Sequence, residues 1–200
     1  MTYRLKRRRD LLKQAAVVGS LGLSGCIASR KDELPSGRRV TDLSVTGLDS
    51  APFSVTVTPT HSQITPDRTA KLALTVTVQH DGPVTLSFGN SIPFTAPQKS
   101  TPTGIWLLQG QDHERESKQT WIPANPIPMP QMEKAVAGLT AGDTLTKEWF
   151  VWGARDQDSY LQPGTYEFST ETAVEPTGEE SGDEFEWTLS LTVVTESSNT

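Results

Sequence analysis

Two hundred residues supply one ordinary domain together with a leader and a tether. The charge is split. Before Cys26 stand Arg4, Lys6, Arg7, Arg8, Arg9 and Lys13 against Asp10 alone, a net of +5; the totals of 18 basic and 24 acidic residues leave 12 and 23 beyond that point, a net of −11. So acidic a domain repels phosphate backbones, which argues against nucleic acid as a partner, and a single cysteine excludes any internal disulfide.

In chain order, Arg8-Arg9-Asp10-Leu11-Leu12-Lys13 resembles the twin-arginine export signal, with Arg8, Arg9, Leu11, Leu12 and Lys13 as the signal residues. A weakly apolar run follows from Ala15 to Gly25. It is too short to span a bilayer, which needs about 20 apolar residues. It ends in Leu23-Ser24-Gly25-Cys26, which resembles a lipobox, so Leu23, Ser24 and Gly25 are expected to precede a lipidated Cys26. Basic cluster, apolar run and lipobox stand in the order of a removable leader, expected over 1–25. Two acyl chains on the cysteine would hold stably where one is marginal, each buried methylene contributing about 0.8 kcal/mol. The expected address is therefore the outer face of the cell membrane. The export route implied by the twin arginines carries proteins already folded.

Residues 26–40 hold Pro35 and Gly37 and few apolar side chains, as a flexible linker does. Arg30, Lys31, Arg38 and Arg39 within it are either solvated or in contact with anionic headgroups. The fourteen residues after Cys26 reach at most about 50 Å, which keeps the domain near the membrane.

The domain is expected over 41–195, with a disordered tail over 196–200. Its signal is period two. Phe53, Val55 and Val57 alternate with polar residues, as do Leu72, Leu74, Val76 and Val78, then Val84, Leu86 and Phe88, then Phe185, Trp187, Leu189, Leu191 and Val193. Weaker strands are predicted at 43–48, 104–109, 117–122, 143–152 and 164–172. Turns are predicted at Asp81-Gly82-Pro83, Ala141-Gly142-Asp143 and Pro163-Gly164. Gln131 to Leu139 is the one helical candidate. Seven to nine strands without long helices predict an all-β, immunoglobulin-like two-sheet β-sandwich, a closed barrel being the alternative. The acidity, the few lysines, and the Ser and Thr at exposed strand positions fit a high-salt habitat and a halophilic archaeal source; solubility is the milder account of the same charge.

Two loops stand out. Pro123, Pro126, Pro128 and Pro130 alternate through 123–130 and exclude helix and central strand. The segment is an ordinary crossover or a stiff recognition loop. Residues 175–184 form an acidic hairpin end without the ligand spacing of a calcium loop.

Motifs for enzymatic chemistry are missing from the chain: no G-x-S-x-G, no phosphate-cradling glycine loop, no H-E-x-x-H. His61, His80 and His113 lie in separate segments. Only His113 has nearby carboxylates, Asp112, Glu114 and Glu116, and that cluster reads better as a polar hairpin between the strands of Trp106 and Trp121 than as a metal site. A blue-copper centre needs a cysteine thiolate, and the one cysteine is committed to lipid. No cofactor is expected. The five tryptophans suggest either a sugar-binding platform or, more commonly, core. Trp187 is expected in the core, and Trp149 and Trp152, on opposite faces of one strand, are expected as one core residue and one capped or partly exposed.

Residues Leu139 to Phe168 carry Leu139, Gly142, Asp143, then Trp149 or Trp152, then Pro163-Gly164-Thr165-Tyr166. This pattern resembles the end of the domain typified by the bacterial intracellular proteinase inhibitor (BsuPI-like domains). The resemblance implies an immunoglobulin-like sandwich and, as an alternative function, a surface protease inhibitor or modulator acting on an exported protease; it transfers no inhibitory residue. The main expectation is a lipid-anchored, non-enzymatic surface protein that binds a ligand or serves an envelope assembly, its partners being the membrane, through the anchor, and an envelope protein.

Overall fold

The computed structural model describes residues 37–88, 98–127, 135–155, 160–179 and 181–196. The expected leader, Cys26, the export and lipobox residues, most of the linker, Pro128, Pro130 and residues 197–200 lie outside the described residues.

Eleven strands run β1 (Arg38–Thr46), β2 (Phe53–His61), β3 (Gln63–Ile64), β4 (Lys71–Val78), β5 (Val84–Ser87), β6 (Gln98–Lys99), β7 (Ile105–Leu108), β8 (Ala135–Leu139), β9 (Thr144–Gly153), β10 (Gly164–Pro176) and β11 (Asp183–Thr195). They form two antiparallel sheets, one ordered β3-β1-β11-β10-β5-β8 and the other β2-β4-β9-β7-β6. Neither sheet closes on itself, so the molecule is the expected two-layer β-sandwich and not a barrel. Two of the eleven strands, β3 and β6, are two residues long, which leaves nine of ordinary length.

The alternation explains the layers. Leu72, Leu74, Val76 and Val78 of β4 are buried, while Lys71, Ala73, Thr75 and Thr77 between them keep partial exposure. Trp187, Leu189, Leu191 and Val193 of β11 face them from the other sheet, and all are buried. Each such side chain contributes about 1.5–3 kcal/mol, which is how a chain without disulfides holds its sheets together. Phe185 sits at the rim of this core, edge-on to Phe53 with centroids 5.9 Å apart. The outer faces are laced by hydroxyl pairs, Thr75–Thr146 at 2.8 Å and Thr165–Thr192 at 3.2 Å, each contributing a few tenths of a kcal/mol by cross-strand pairing.

Several local expectations are corrected. Strand β1 begins at Arg38, inside the stretch expected as linker. Arg38 donates from Nε to the Leu161 carbonyl at 2.9 Å, and Arg39 pairs with Glu196 at 2.6 Å, so both arginines are engaged with the domain. Glu196, expected to open a disordered tail, also bonds its N–H to the Gly37 carbonyl and accepts from Gln63. Residues 117–122 form no strand; Ser117 and Thr120 bond to each other across a turn. Ala135–Leu139, inside the helical candidate, is strand β8, because Val136 and Leu139 pair with Leu86 and Val84 at the sheet edge. Neighbouring β-structure overrode a weak local stripe.

Candidate functional site

A strand in a sandwich ordinarily needs one apolar face. β7 (Ile-Trp-Leu-Leu) and the end of β9 (Trp-Phe-Val-Trp) have two. Their inner residues Ile105, Leu107, Trp149 and Val151 enter the core, and Trp106, Leu108, Phe150 and Trp152 point out from the second sheet. An apolar outer face this large is unfavourable in water and needs a cover.

The segment 109–127 supplies it. It doubles back on itself through Glu116 N–H to Ile122 C=O at 2.9 Å and Ala124 N–H to Glu114 C=O at 2.7 Å, so the chain turns at 117–120 and not at His113, and the hairpin expected between strands of Trp106 and Trp121 is not formed. Trp121 and His113 both stand edge-to-face on Trp152, at 5.2 and 5.5 Å between centroids. Trp121 is pinned on every side. Its Nε1–H donates to the Thr65 carbonyl at 2.7 Å, its backbone N–H to the Tyr160 hydroxyl at 3.1 Å, and its carbonyl accepts from Gly153 N–H at 2.7 Å. The Arg115 guanidinium lies 4.3 Å from its ring. Burial pushes the Tyr160 phenol up to about 12, against the lowering pull of the Trp121 N–H and of Arg115 and Arg38.

Trp149 and Trp152 are therefore both fully buried, and they divide as the opposite faces of one strand led us to expect: Trp149 lies in the sandwich core and Trp152 is capped by the 109–127 cover. The Nε1–H of Trp152 is buried without an acceptor among the described residues. Trp121 and Trp187 are buried as well. Of the five tryptophans, Trp106 alone keeps solvent exposure.

The register places Lys99 of β6, Trp106 of β7 and Trp152 of β9 side by side in one row. Within the described residues the cover seals the Trp152 end and leaves Trp106 half-buried. There a groove of about 420 Å³ opens, bounded by Trp106, Lys99, Pro123, Asn125, Pro126, Ile127, Glu116 and Arg155. The Lys99 ammonium stands 5.8 Å from the Trp106 ring centroid. Arg155 Nε donates to Glu116 Oε1 at 2.9 Å, and Asn125 Nδ2 to Glu114 at 3.1 Å. Two of the four prolines singled out from the sequence, Pro123 and Pro126, thus form one wall; Pro128 and Pro130 lie outside the described residues. Pro123 is buried by its bridge to Arg115, and Pro126 is exposed.

A second cavity of about 580 Å³ lies against β2 and β4, lined by His61, Arg68, Lys71, Gln111, Asp112 and Phe150 among others. Arg68 donates to His61 Nδ1 at 2.7 Å, which places the ring proton on Nε2, itself buried and without an acceptor. Burial first, then Arg68, hold this histidine below its ordinary pKa. His80 caps its own turn by accepting the Gly82 N–H. Among the described residues no three His, Cys, Asp or Glu side chains converge as metal ligands would.

The residues that carry the proteinase-inhibitor resemblance are turn and core positions. Gly142 takes φ +89° at the predicted turn, where Asp143 Oδ2 accepts from the Thr140 N–H and hydroxyl. Leu139, Trp149 and Tyr166 are buried, and the Tyr166 hydroxyl donates to the Gln162 carbonyl at 2.7 Å. Comparison with protein-family models, curated proteins and solved structures finds no match. Function is accordingly argued from the groove.

Proposed function

We propose that this protein is a surface lipoprotein, held to the outer face of the membrane by a lipid on Cys26, that binds a ligand in the Trp106 groove without transforming it. The observation that carries the binding role is the contrast among the tryptophans. Four are buried in packing, and the fifth keeps part of its ring open to a concave site beside a stiff proline wall. Leaving a large aromatic in water costs hydrophobic stabilisation, and rigid aromatics next to few polar groups are how binding sites obtain affinity at low entropic cost. The leader sequence and lipobox support the address, and the linker gives the domain reach from the membrane surface.

The test separates the groove from the anchor. The full chain carrying Cys26→Ser is mixed with isolated cell envelopes and sedimented. The groove should retain the anchorless protein on the envelopes, and Trp106→Ala should leave it in the supernatant. If the two proteins partition alike, the groove is not the binding surface.

A further inference from the structure

We propose that the ligand of the Trp106 groove is a saccharide bearing a carboxylate, a uronic-acid sugar. The inference rests on the groove being the binding surface and adds the chemical class of what it binds.

Three features converge on that class. The floor is one half-buried indole, whose open part is a flat apolar surface that accepts the C–H face of a pyranose ring, and the volume of about 420 Å³ lies within the usual range of small-ligand sites. The rim carries planar polar groups with capacity to spare. Glu116 uses Oε1 on Arg155, which leaves Oε2 to accept, and Arg155 keeps the N–H groups of its guanidinium nitrogens beyond Nε. Asn125 donates to Glu114 through Nδ2 and retains its carbonyl oxygen. A carboxylate, a guanidinium and an amide set around an aromatic floor match neighbouring hydroxyls, each of which both donates and accepts.

The third feature is charge. Lys99, Arg155 and Glu116 give the described lining residues a net of +1, on a chain whose residues beyond the leader sum to −11. Arg155 is paired with Glu116, whereas no carboxylate of the described residues pairs with Lys99. The Lys99 ammonium stands over the same ring that would hold the sugar, where a carboxylate on that sugar meets it. A proline-rich peptide is the poorer fit. It docks between aromatic ridges, and among its described lining residues this groove has one aromatic and supplies the prolines itself.

The experiment is a fluorescence titration of the full chain carrying Cys26→Ser, since the other four tryptophans are shielded and Trp106 dominates the ligand-sensitive signal. The probes are trigalacturonate, neutral maltotriose, and citrate as a carboxylate without a sugar face. Trigalacturonate should perturb the emission saturably and bind at least about tenfold tighter than maltotriose, the discrimination of one charge-assisted hydrogen bond. Lys99→Met, which keeps the stem over the ring, should abolish that preference. Trp106→Ala, followed by calorimetry, should weaken trigalacturonate binding by about thirtyfold, with Trp106→Phe in between as the control for folding. No binding of trigalacturonate, equal binding of citrate, or an unchanged preference in Lys99→Met overturns the proposal. Groove-dependent retention on envelopes without any response to trigalacturonate removes the sugar and leaves the groove; failure of both removes both.

Discussion

The rings of Trp121 and Trp152 stand edge-to-face, centroids 5.2 Å apart and planes at 89°. One belongs to an irregular cover and the other to the outward face of β9, so this contact fastens a second, smaller apolar layer onto a sandwich that already has its core. Trp121→Ala is expected to cost about 3–5 kcal/mol by urea unfolding, the range for deleting a buried large aromatic. It should also expose Trp152 to acrylamide quenching. Trp121→Phe should cost less, losing chiefly the Nε1–H bond to Thr65.

Gly104 lies under the ring of Tyr166 and bonds its carbonyl to Ala154 N–H at 3.0 Å. A Cβ there would overlap the Tyr166 ring, so Gly104→Ala should destabilise by about 1–3 kcal/mol, the usual cost of overpacking. Combining it with Tyr166→Val should cost less than the two changes added, because removing the ring makes room. Denaturation midpoints of the four proteins check this.

Tyr160 gives a pH dependence of defined sign. Burial raises its phenol above the ordinary 10 to about 12 in the folded protein. The neutral form is thus favoured by folding, and the stability it lends is complete below pH 10 and lost as pH rises through about 12. The loss is on the order of 2 kcal/mol. Tyr166, also raised by burial, contributes with the same sign. Tyr160→Phe should flatten the alkaline limb of the stability curve, while at neutral pH it costs about 1 kcal/mol for the Trp121 N–H left without an acceptor.

At the leader, Cys26→Ser should release the protein into the medium or leave it as a precursor, and unchanged membrane retention would contradict the anchor. Lys in place of both Arg8 and Arg9 should trap the protein inside the cell, as immunoblots of cell and medium fractions would show. Normal secretion of that variant would contradict folded export.

Where the chain alternates cleanly, the fold was legible: Leu72 to Val78 and Trp187 to Val193 announce half-buried strands, and the two-layer sandwich follows from them. The cover was not legible, because segment 109–127 has no period and is held by contacts far apart in the chain, Thr65 with Trp121 and Tyr160 with Trp121. Its signal was present in another form. The unbroken apolar runs Ile105–Leu108 and Trp149–Trp152 break the alternation, and a strand apolar on both faces requires something on each. That rule predicts burial of Trp152, but it does not say that the cover leaves Trp106 half-buried. The proline segment was found from composition alone, whereas Lys99 and Arg155 come from distant segments that nothing local marks as partners.

The proposed lipid on Cys26 would decide where all of this takes place, and mass spectrometry of the N-terminal peptide from membrane-extracted protein tests it most directly. The expected result is a chain that begins at Cys26 with a diacylglycerol thioether on its sulfur. An unmodified Cys26 still joined to an intact 1–25 leader would contradict the account.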